Sequence, residues 1–107
     1  MADKPERRTE ERFPVNADTS CTFAGPVAED FGPPHVHNLS MKGIGLFLRR
    51  RVEPGALLAV SLSNQARSFA KTVLVRVIHA SAQPGGCLVG GTFDTPLTYQ
   101  ELSTLVL

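Results

Sequence analysis

The stretch FAKTVLVRVIH, residues 69–79, is the part of the sequence that decides the fold. It is rich in β-branched and apolar residues, with Val73, Val75 and Val77 at one set of positions and Leu74, Arg76 and Ile78 between them. Successive side chains of a β-strand point to opposite faces, so the three valines are expected to share one face and Leu74, Arg76 and Ile78 the other. We therefore expect a long strand over residues 69–79, the fifth in the chain.

Turn residues on either side divide the remaining sequence into further short strands. The predicted turns and connections are rich in Gly, Pro and Ser and cover residues 25–34, 53–55, 63–67 and 83–86. The segments between them have strand propensity or apolar alternation and cover residues 15–24, 36–40, 44–48, 56–62 and 87–93. The sequence thus predicts six strands.

A short helix is predicted after the last strand. Thr95 is a candidate N-cap, and Pro96 suits the first helical position. The spacings compatible with one apolar helix face are those of Leu97, Leu102, Leu105 and Val106. Six strands and one helix predict an all-β domain, a six-stranded antiparallel barrel or barrel-like sandwich that leaves few open edges.

Length and composition indicate one globular domain with an N-terminal arm. The chain has 107 residues, of which 42% are hydrophobic and 20% charged, as in ordinary globular proteins. Residues 1–14 are polar without periodicity, so we expect a flexible arm there and the barrel domain over residues 15–107. No apolar run reaches the roughly 18 residues that cross a bilayer, and the charged N-terminus is unlike a secretory signal. We expect a cytoplasmic protein without membrane insertion.

The charge distribution favours a small anionic ligand over a nucleic-acid polymer. The net charge is only +1, but six of the eleven Lys and Arg residues form two clusters, namely Arg7, Arg8 and Arg12, and residues 49–51. A long nucleic acid usually requires a continuous basic surface. Residues 49–51 end a strand and are interpreted as a solvated edge or as a docking surface for a partner.

The first candidate ligand-binding element is RRTEER, residues 7–12. A planar guanidinium binds phosphate oxygens, or the O6 and N7 atoms of guanine, through two parallel hydrogen bonds. If the arm is extended, the four residues from Arg8 to Arg12 span roughly 13 Å, about the reach needed to touch two parts of a dinucleotide. The alternative is a solvated arm whose arginines pair with neighbouring glutamates.

The second element is NLSMKG, residues 38–43. Residues two apart on a strand project to one face, so Asn38 and Ser40 are expected to present an amide and a hydroxyl side by side. Gly43 permits either a turn with positive φ or the close approach of a ligand to the backbone. The alternative is a polar turn between two strands, because Asn, Ser and Gly are common in turns.

Together the two elements resemble the PilZ family, whose members carry RxxxR on an N-terminal arm and [D/N]xSxxG on a barrel. The matching residues are Arg8 and Arg12 in the first motif and Asn38, Ser40 and Gly43 in the second. The similarity extends through residues 43–48 and 90–93 and covers nearly the whole chain from Arg7. The resemblance implies a PilZ barrel that binds cyclic di-GMP, with the arm closing over the ligand.

The resemblance also implies a role for each matching residue. Arg8 and Arg12 would bind phosphate or guanine, Asn38 and Ser40 would contact the guanine edge, and Gly43 would shape the turn. Arg7 lies just before the motif, where its guanidinium would stack on a second ligand molecule. Asn38 stands where many relatives have Asp, and its amide has one acceptor oxygen where a carboxylate has two, so we expect weaker binding.

Other chemistry is not indicated. His35 and His37 would share a face on a strand, but no third metal ligand stands at a recognisable spacing, so we interpret them as solvated imidazoles. Cys21 and Cys87 lack CxxC spacing and are expected to be reduced thiols. No nucleophile elbow, phosphate-binding loop or HExxH motif is found, so we expect neither an enzyme nor a cofactor.

The sequence therefore predicts a single-domain cyclic di-GMP receptor that signals to an unidentified protein effector. Two alternatives stay open at this point. One is an interaction adaptor of the same fold without a nucleotide ligand, and the other is a nonspecific nucleic-acid binder that uses the arginine arm. No aromatic residues are interleaved with those arginines, which counts against the second alternative.

Overall fold

Six antiparallel strands form a nearly closed barrel in the computed structural model, which describes residues 11–24 and 32–107. The elements in those ranges are β1 (Thr19–Phe23), β2 (His35–Leu39), β3 (Gly43–Leu48), β4 (Leu57–Asn64), β5 (Phe69–Gln83), β6 (Gly86–Phe93) and helix α1 (Tyr99–Val106). The strand order in the sheet is β1-β4-β5-β6-β3-β2. The predicted all-β class, six-stranded antiparallel barrel and short C-terminal helix are confirmed.

Strand β5 joins the two halves of the sheet. Its residues 69–76 pair with β4, and its residues 75–83 pair with β6. Val73, Val75 and Val77, which were expected to share one face of the strand, are buried in the core. The strand has 15 residues and ends at Gln83 instead of residue 79, because β6 continues to pair with it beyond the apolar stretch.

A polar network replaces the start of the predicted first strand. β1 begins at Thr19 and not at residue 15, because the side chain of Asn16 folds back onto the following residues. Its Oδ1 accepts a hydrogen bond from the Thr19 hydroxyl at 3.0 Å and another from Asn64 Nδ2 at 3.0 Å. The backbone N–H of Asn16 donates to the carbonyl of Leu105 in α1 at 2.9 Å. The network ties the entry to the barrel to its terminal helix.

Strand β4 runs past its predicted end at residue 62 to Asn64. The buried Asn64 side chain accepts a hydrogen bond from the backbone N–H of Arg67 at 3.1 Å and so caps a short 3₁₀ helix (Gln65–Arg67). The predicted polar turn is thus present, but it is shorter and begins later than expected.

Helix α1 begins later than predicted. Its N-cap is Thr98, whose Oγ1 accepts from the Glu101 N–H at 3.1 Å, while Glu101 Oε1 accepts from the Thr98 N–H at 2.8 Å. This reciprocal pair is a capping box. The predicted N-cap at Thr95 is wrong because the Leu97 N–H donates to the Met41 carbonyl at 2.8 Å, which holds this segment against the β2–β3 turn.

The buried face of α1 packs on the barrel core through Leu102 and Leu105, as predicted. Lys71 on β5 fixes the helix start, with its Nζ 2.8 Å from Glu101 Oε2. The hydrogen bond from Lys71, and then the backbone hydrogen bond from Thr98, lower the pKa of Glu101. No helix in the described part of the chain is long and apolar enough to cross a membrane.

Both cysteines are free thiols in the core. Burial raises the pKa of Cys21 to about 12, so this thiol stays protonated at neutral pH. Because the thiolate is the reactive form, Cys21 is a packing residue in the folded protein.

The N-terminal segment contacts the sheet at Phe13. Phe13 and Leu39 exchange two backbone hydrogen bonds of 2.9 Å each and form an isolated antiparallel bridge at the edge of β2. The Phe13 side chain packs against the core. The predicted boundary between residues 14 and 15 stays a prediction, because residues 1–10 of the arm lie outside the described ranges.

Candidate functional site

Four residues from four neighbouring strands form one row across the outer face of the barrel. Asn38 on β2 pairs with Gly45 on β3, Gly45 pairs with Gly90 on β6, and Gly90 pairs with His79 on β5. Neighbouring strands lie about 4.8 Å apart, so the two ends of the row are roughly 14 Å apart. The row therefore has a polar side chain at each end, and these two side chains lie over the buried glycines between them.

Two β-bulges set the ends of this row. The register of β2 shifts just before Asn38, which places Asn38 and not His37 opposite Gly45. The register of β5 shifts just before His79, whose imidazole lies directly over Gly90. A bulge inserts an extra residue into one strand and re-aims the side chains that follow it.

A shallow pocket of about 210 Å³ opens over the two glycines of the row. Besides the row itself, Arg12, His37 and Leu88 contribute to its wall, and no acidic side chain from the described residues lines it. Pockets for drug-sized ligands usually measure ~300–1,000 Å³. This pocket is therefore the right size for one ring system of a larger ligand, and its charge favours an anion.

Arg12 and Asn38 meet at the edge of the pocket. Arg12 Nη1 donates a hydrogen bond to Asn38 Oδ1 at 2.9 Å. A guanidinium has only donors, so the amide oxygen must face Arg12, and the two N–H groups of the amide are left for another partner. The pairing of the adjacent Phe13 with Leu39 fixes the backbone from which Arg12 extends. The structure thus brings together one residue from each motif.

Ser40 lies inside the β2–β3 turn. Its side chain is only 1% exposed, its Oγ accepts from the Gly43 N–H at 3.0 Å, and its backbone N–H donates to the Gly43 carbonyl at 2.9 Å. The expected exposed hydroxyl beside the Asn38 amide is therefore wrong, because β2 ends at Leu39 and the chain turns inward there. Ser40 holds the turn closed, and a contact with a ligand stays a prediction.

A glycine is needed at position 43 because a neighbouring strand lies close to its backbone, and not because its φ angle is positive. A Cβ atom at this position would overlap the carbonyl oxygen of Gly91 on β6 and would lie 3.4 Å from Arg12 Nη2. Any side chain here would push β3 away from β6. The expected turn with positive φ at Gly43 is wrong, because its φ angle is not positive. The group that approaches its backbone is the neighbouring strand β6, and the approach of a ligand stays a prediction.

Two groups of predicted basic residues are not part of this pocket. Arg7 and Arg8 lie outside the described residues, so their predicted ligand contacts stay predictions. Residues 49–51 follow β3 at the end opposite Gly43, which separates the second basic cluster from the pocket.

Several residues of the pocket escaped the sequence analysis. Gly45, Gly90 and His79 belong to the row, and His37, which was interpreted as a solvated imidazole, lines the pocket beside it. A glycine inside a strand often marks a place where a ligand or another chain segment approaches the backbone, and this was the available signal. Within residues 11–24 and 32–107, no group of three or more His, Cys, Asp or Glu side chains is arranged to hold a metal ion.

Comparison with known protein families assigns the chain to one family. The family model described as PilZ domain matches residues 6–107, essentially the whole chain. No curated protein and no solved structure matches the chain.

Proposed function

Because the chain belongs to the PilZ domain family, we propose that it binds cyclic di-GMP as a single-domain receptor and relays the signal to a protein effector. PilZ domains are binding and adaptor modules that recognise this dinucleotide, and they are not enzymes. The observation that carries the proposal is the contact between Arg12 and Asn38 beside the glycine pocket. As a receptor for an intracellular messenger, the protein is expected in the bacterial cytoplasm.

In the proposed complex, one guanine occupies the pocket. The Asn38 amide lies against Gly45 and the His79 imidazole lies over Gly90, so the pocket offers a purine ring a polar edge and an aromatic surface. The free N–H groups of Asn38 suit the O6 and N7 acceptors of guanine. Arg12 binds a phosphate of the ligand or stacks on the base, as the resemblance implies.

The other motif residues complete the proposed site from outside the pocket. Arg8 contributes a second guanidinium for phosphate or guanine, and Arg7 stacks on a second ligand molecule. Ser40 and Gly43 support the site through the shape of the β2–β3 turn. A titration that returns one nucleotide per chain would remove the role given to Arg7.

The proposed signal is a change at the surface formed by the arm. Arg12 lies next to the point where Phe13 pairs with β2, so a ligand held by Arg12 sits at the base of the arm. We propose that residues before Arg12 close over the ligand and create or cover a surface for the effector. Such a switch needs contacts that differ between the free and bound states, and charge-assisted hydrogen bonds from the arm would provide them.

Isothermal titration calorimetry with cyclic di-GMP tests the proposal. Wild type should bind, and Arg12→Ala should bind at least tenfold more weakly, because a charge-assisted hydrogen bond of about 1.5 kcal/mol or more is lost. Arg51→Ala removes the same charge from the exposed stretch beyond β3 and should bind like wild type. Cyclic di-AMP, whose adenine lacks the O6 acceptor, is the ligand control.

Two results would overturn the proposal. If folded wild type gives neither heat nor a thermal shift at saturating cyclic di-GMP, the receptor function is refuted. The remaining function is then that of an interaction adaptor without a nucleotide ligand. Equal binding of unrelated oligonucleotides with a steep salt dependence would instead indicate a nonspecific nucleic-acid binder.

A further inference from the structure

A second row of residues lies next to the glycine row on the outer face of the barrel. Gly43 on β3 pairs with Thr92 on β6, and Thr92 pairs with Arg76 on β5. Arg12 Nη2 lies over the Gly43 end of this row, 3.4 Å from where a Cβ atom would stand. Two guanidinium groups, from Arg12 and Arg76, therefore flank Thr92 on the same face.

The spacing of this row fits an anion with two charges. Two gaps of about 4.8 Å separate the strands of Gly43 and Arg76, which places their Cα atoms roughly 10 Å apart. Arg76 projects away from the core because its neighbours Val75 and Val77 are buried. A cyclic dinucleotide has a phosphate on each side of its ring, so guanidinium groups on opposite sides would each meet one.

Arg76 is exposed and has no partner among the described residues. Its guanidinium forms no hydrogen bond and no ion pair with residues 11–24 or 32–107, although Asp94 lines the same surface pocket as Arg76. Its planar fork is therefore available to an incoming phosphate, and Thr92 offers a hydroxyl beside it.

We propose that Arg76 on β5 is a further ligand-binding residue, which binds the phosphate of cyclic di-GMP on the side opposite Arg12. This inference rests on the proposed function and extends the site beyond both sequence motifs. It assigns the outer face of β5 and β6 to the ligand, with Thr92 between the two guanidinium groups.

Calorimetry on four proteins tests the assignment: wild type, Arg76→Ala, Arg76→Lys and Arg51→Ala. Arg76→Ala should bind cyclic di-GMP about tenfold more weakly, and Arg76→Lys should fall between it and wild type because an ammonium keeps the charge but lacks the fork. Arg51→Ala should match wild type. Arg76 is exposed, so the melting temperatures without ligand should agree and exclude misfolding as the cause.

Salt dependence separates a phosphate contact from a contact with the base. Affinity should fall as sodium chloride rises from roughly 0.05 to 0.5 M, and it should fall less steeply for Arg76→Ala than for wild type, because one screened charge pair is missing. Equal slopes with weaker binding would place Arg76 on the guanine edge and overturn the phosphate assignment.

The failure of this inference can be told apart from failure of the proposed function. If wild type binds, Arg12→Ala does not, and Arg76→Ala binds like wild type, the site is real but excludes Arg76. If wild type itself does not bind, the receptor function fails, and the Arg76 assignment fails with it.

Discussion

Replacing Gly45 by alanine tests whether the glycine pocket is the ligand site. The new Cβ would lie 2.8 Å from Asn38 Oδ1, whereas ordinary contact begins at 3.4 Å. The amide oxygen must therefore withdraw by about 0.6 Å, which stretches its 2.9 Å hydrogen bond from Arg12 to the edge of hydrogen-bonding distance. The methyl group also adds bulk to the lining of the pocket.

The expected effect is on binding and not on folding. A lost hydrogen bond costs about 1 kcal/mol, and together with the added bulk in the pocket lining we expect cyclic di-GMP affinity to fall about tenfold, or ~1.4 kcal/mol. The obstructing atom is the end of a flexible side chain. The free energy of unfolding should therefore change by less than about 0.5 kcal/mol.

Gly91→Ala is the matched comparison, because Gly91 follows Gly90 on β6 and faces the core. Its Cβ would overlap the Val75 side chain and lie 2.8 Å from the Arg76 carbonyl oxygen. Neither neighbour can withdraw easily, so overpacking should cost about 1–3 kcal/mol, with a drop of roughly 4–8 °C in Tm for each kcal/mol.

Thermal melts without nucleotide and calorimetry on the folded proteins measure the two effects separately. Gly45→Ala should keep its Tm and lose affinity, whereas Gly91→Ala should lose Tm. Unchanged binding by Gly45→Ala would refute the pocket as the ligand site. A loss of Tm in Gly45→Ala as large as that in Gly91→Ala would refute the steric reasoning.

Three further predictions concern stability and are measured by urea denaturation. Thr98→Ala should lower the free energy of unfolding by about 1 kcal/mol because the capping box with Glu101 is lost, and Thr98→Ser should restore most of it. Lys71→Met should cost about 0.5 kcal/mol at neutral pH and less at about pH 3. Because the pKa of Glu101 is lowered in the folded state, its ionised carboxylate stabilises the fold at pH values above the unfolded pKa of about 4.3. This stabilisation is lost as the pH falls through the pKa of the folded state. An equal cost of Lys71→Met at both pH values would contradict the ion pair between Lys71 and Glu101 as its cause. Asn64→Ala should cost about 2 kcal/mol or more because the buried amide supplies a donor to Asn16 Oδ1, and a cost below about 0.5 kcal/mol would show that the network is not needed.

The core and the strand count could be predicted because their signal is local. The alternation at Val73, Val75 and Val77 depends only on the period of a strand, and these residues are buried. The end of β5 could not be predicted in this way. Residues 80–83 lack that alternation, and their extended conformation depends on pairing with β6.

Tertiary contacts overrode local signals at the helix start. Thr95 and Pro96 have the residue types of a helix N-terminus. The hydrogen bond from Leu97 to Met41 fixes the chain in another conformation, and the capping box then starts the helix after Thr98. The local sequence does not predict that hydrogen bond.

The candidate site was predicted only in part, for a similar reason. The motifs identified Arg12 and Asn38, which the structure brings together. The exposed hydroxyl expected at Ser40 was wrong because strand alternation was extended one residue past the end of β2. Gly45 and His79 join the site through sheet register and bulges, which short-range patterns do not encode.

The pocket depends on the correct pairing of four strands, because the row from Asn38 to His79 crosses all of them. Its four residues come from the β2–β3 and β5–β6 hairpins, so neither hairpin alone contains the complete row. A nucleotide that recognises the row would bind native molecules only and would draw the folding equilibrium towards them. The concentration of the nucleotide would then affect how long the protein survives in the cell as well as how much of it is bound. Variants with a lower free energy of unfolding would be degraded fastest when the nucleotide is scarce.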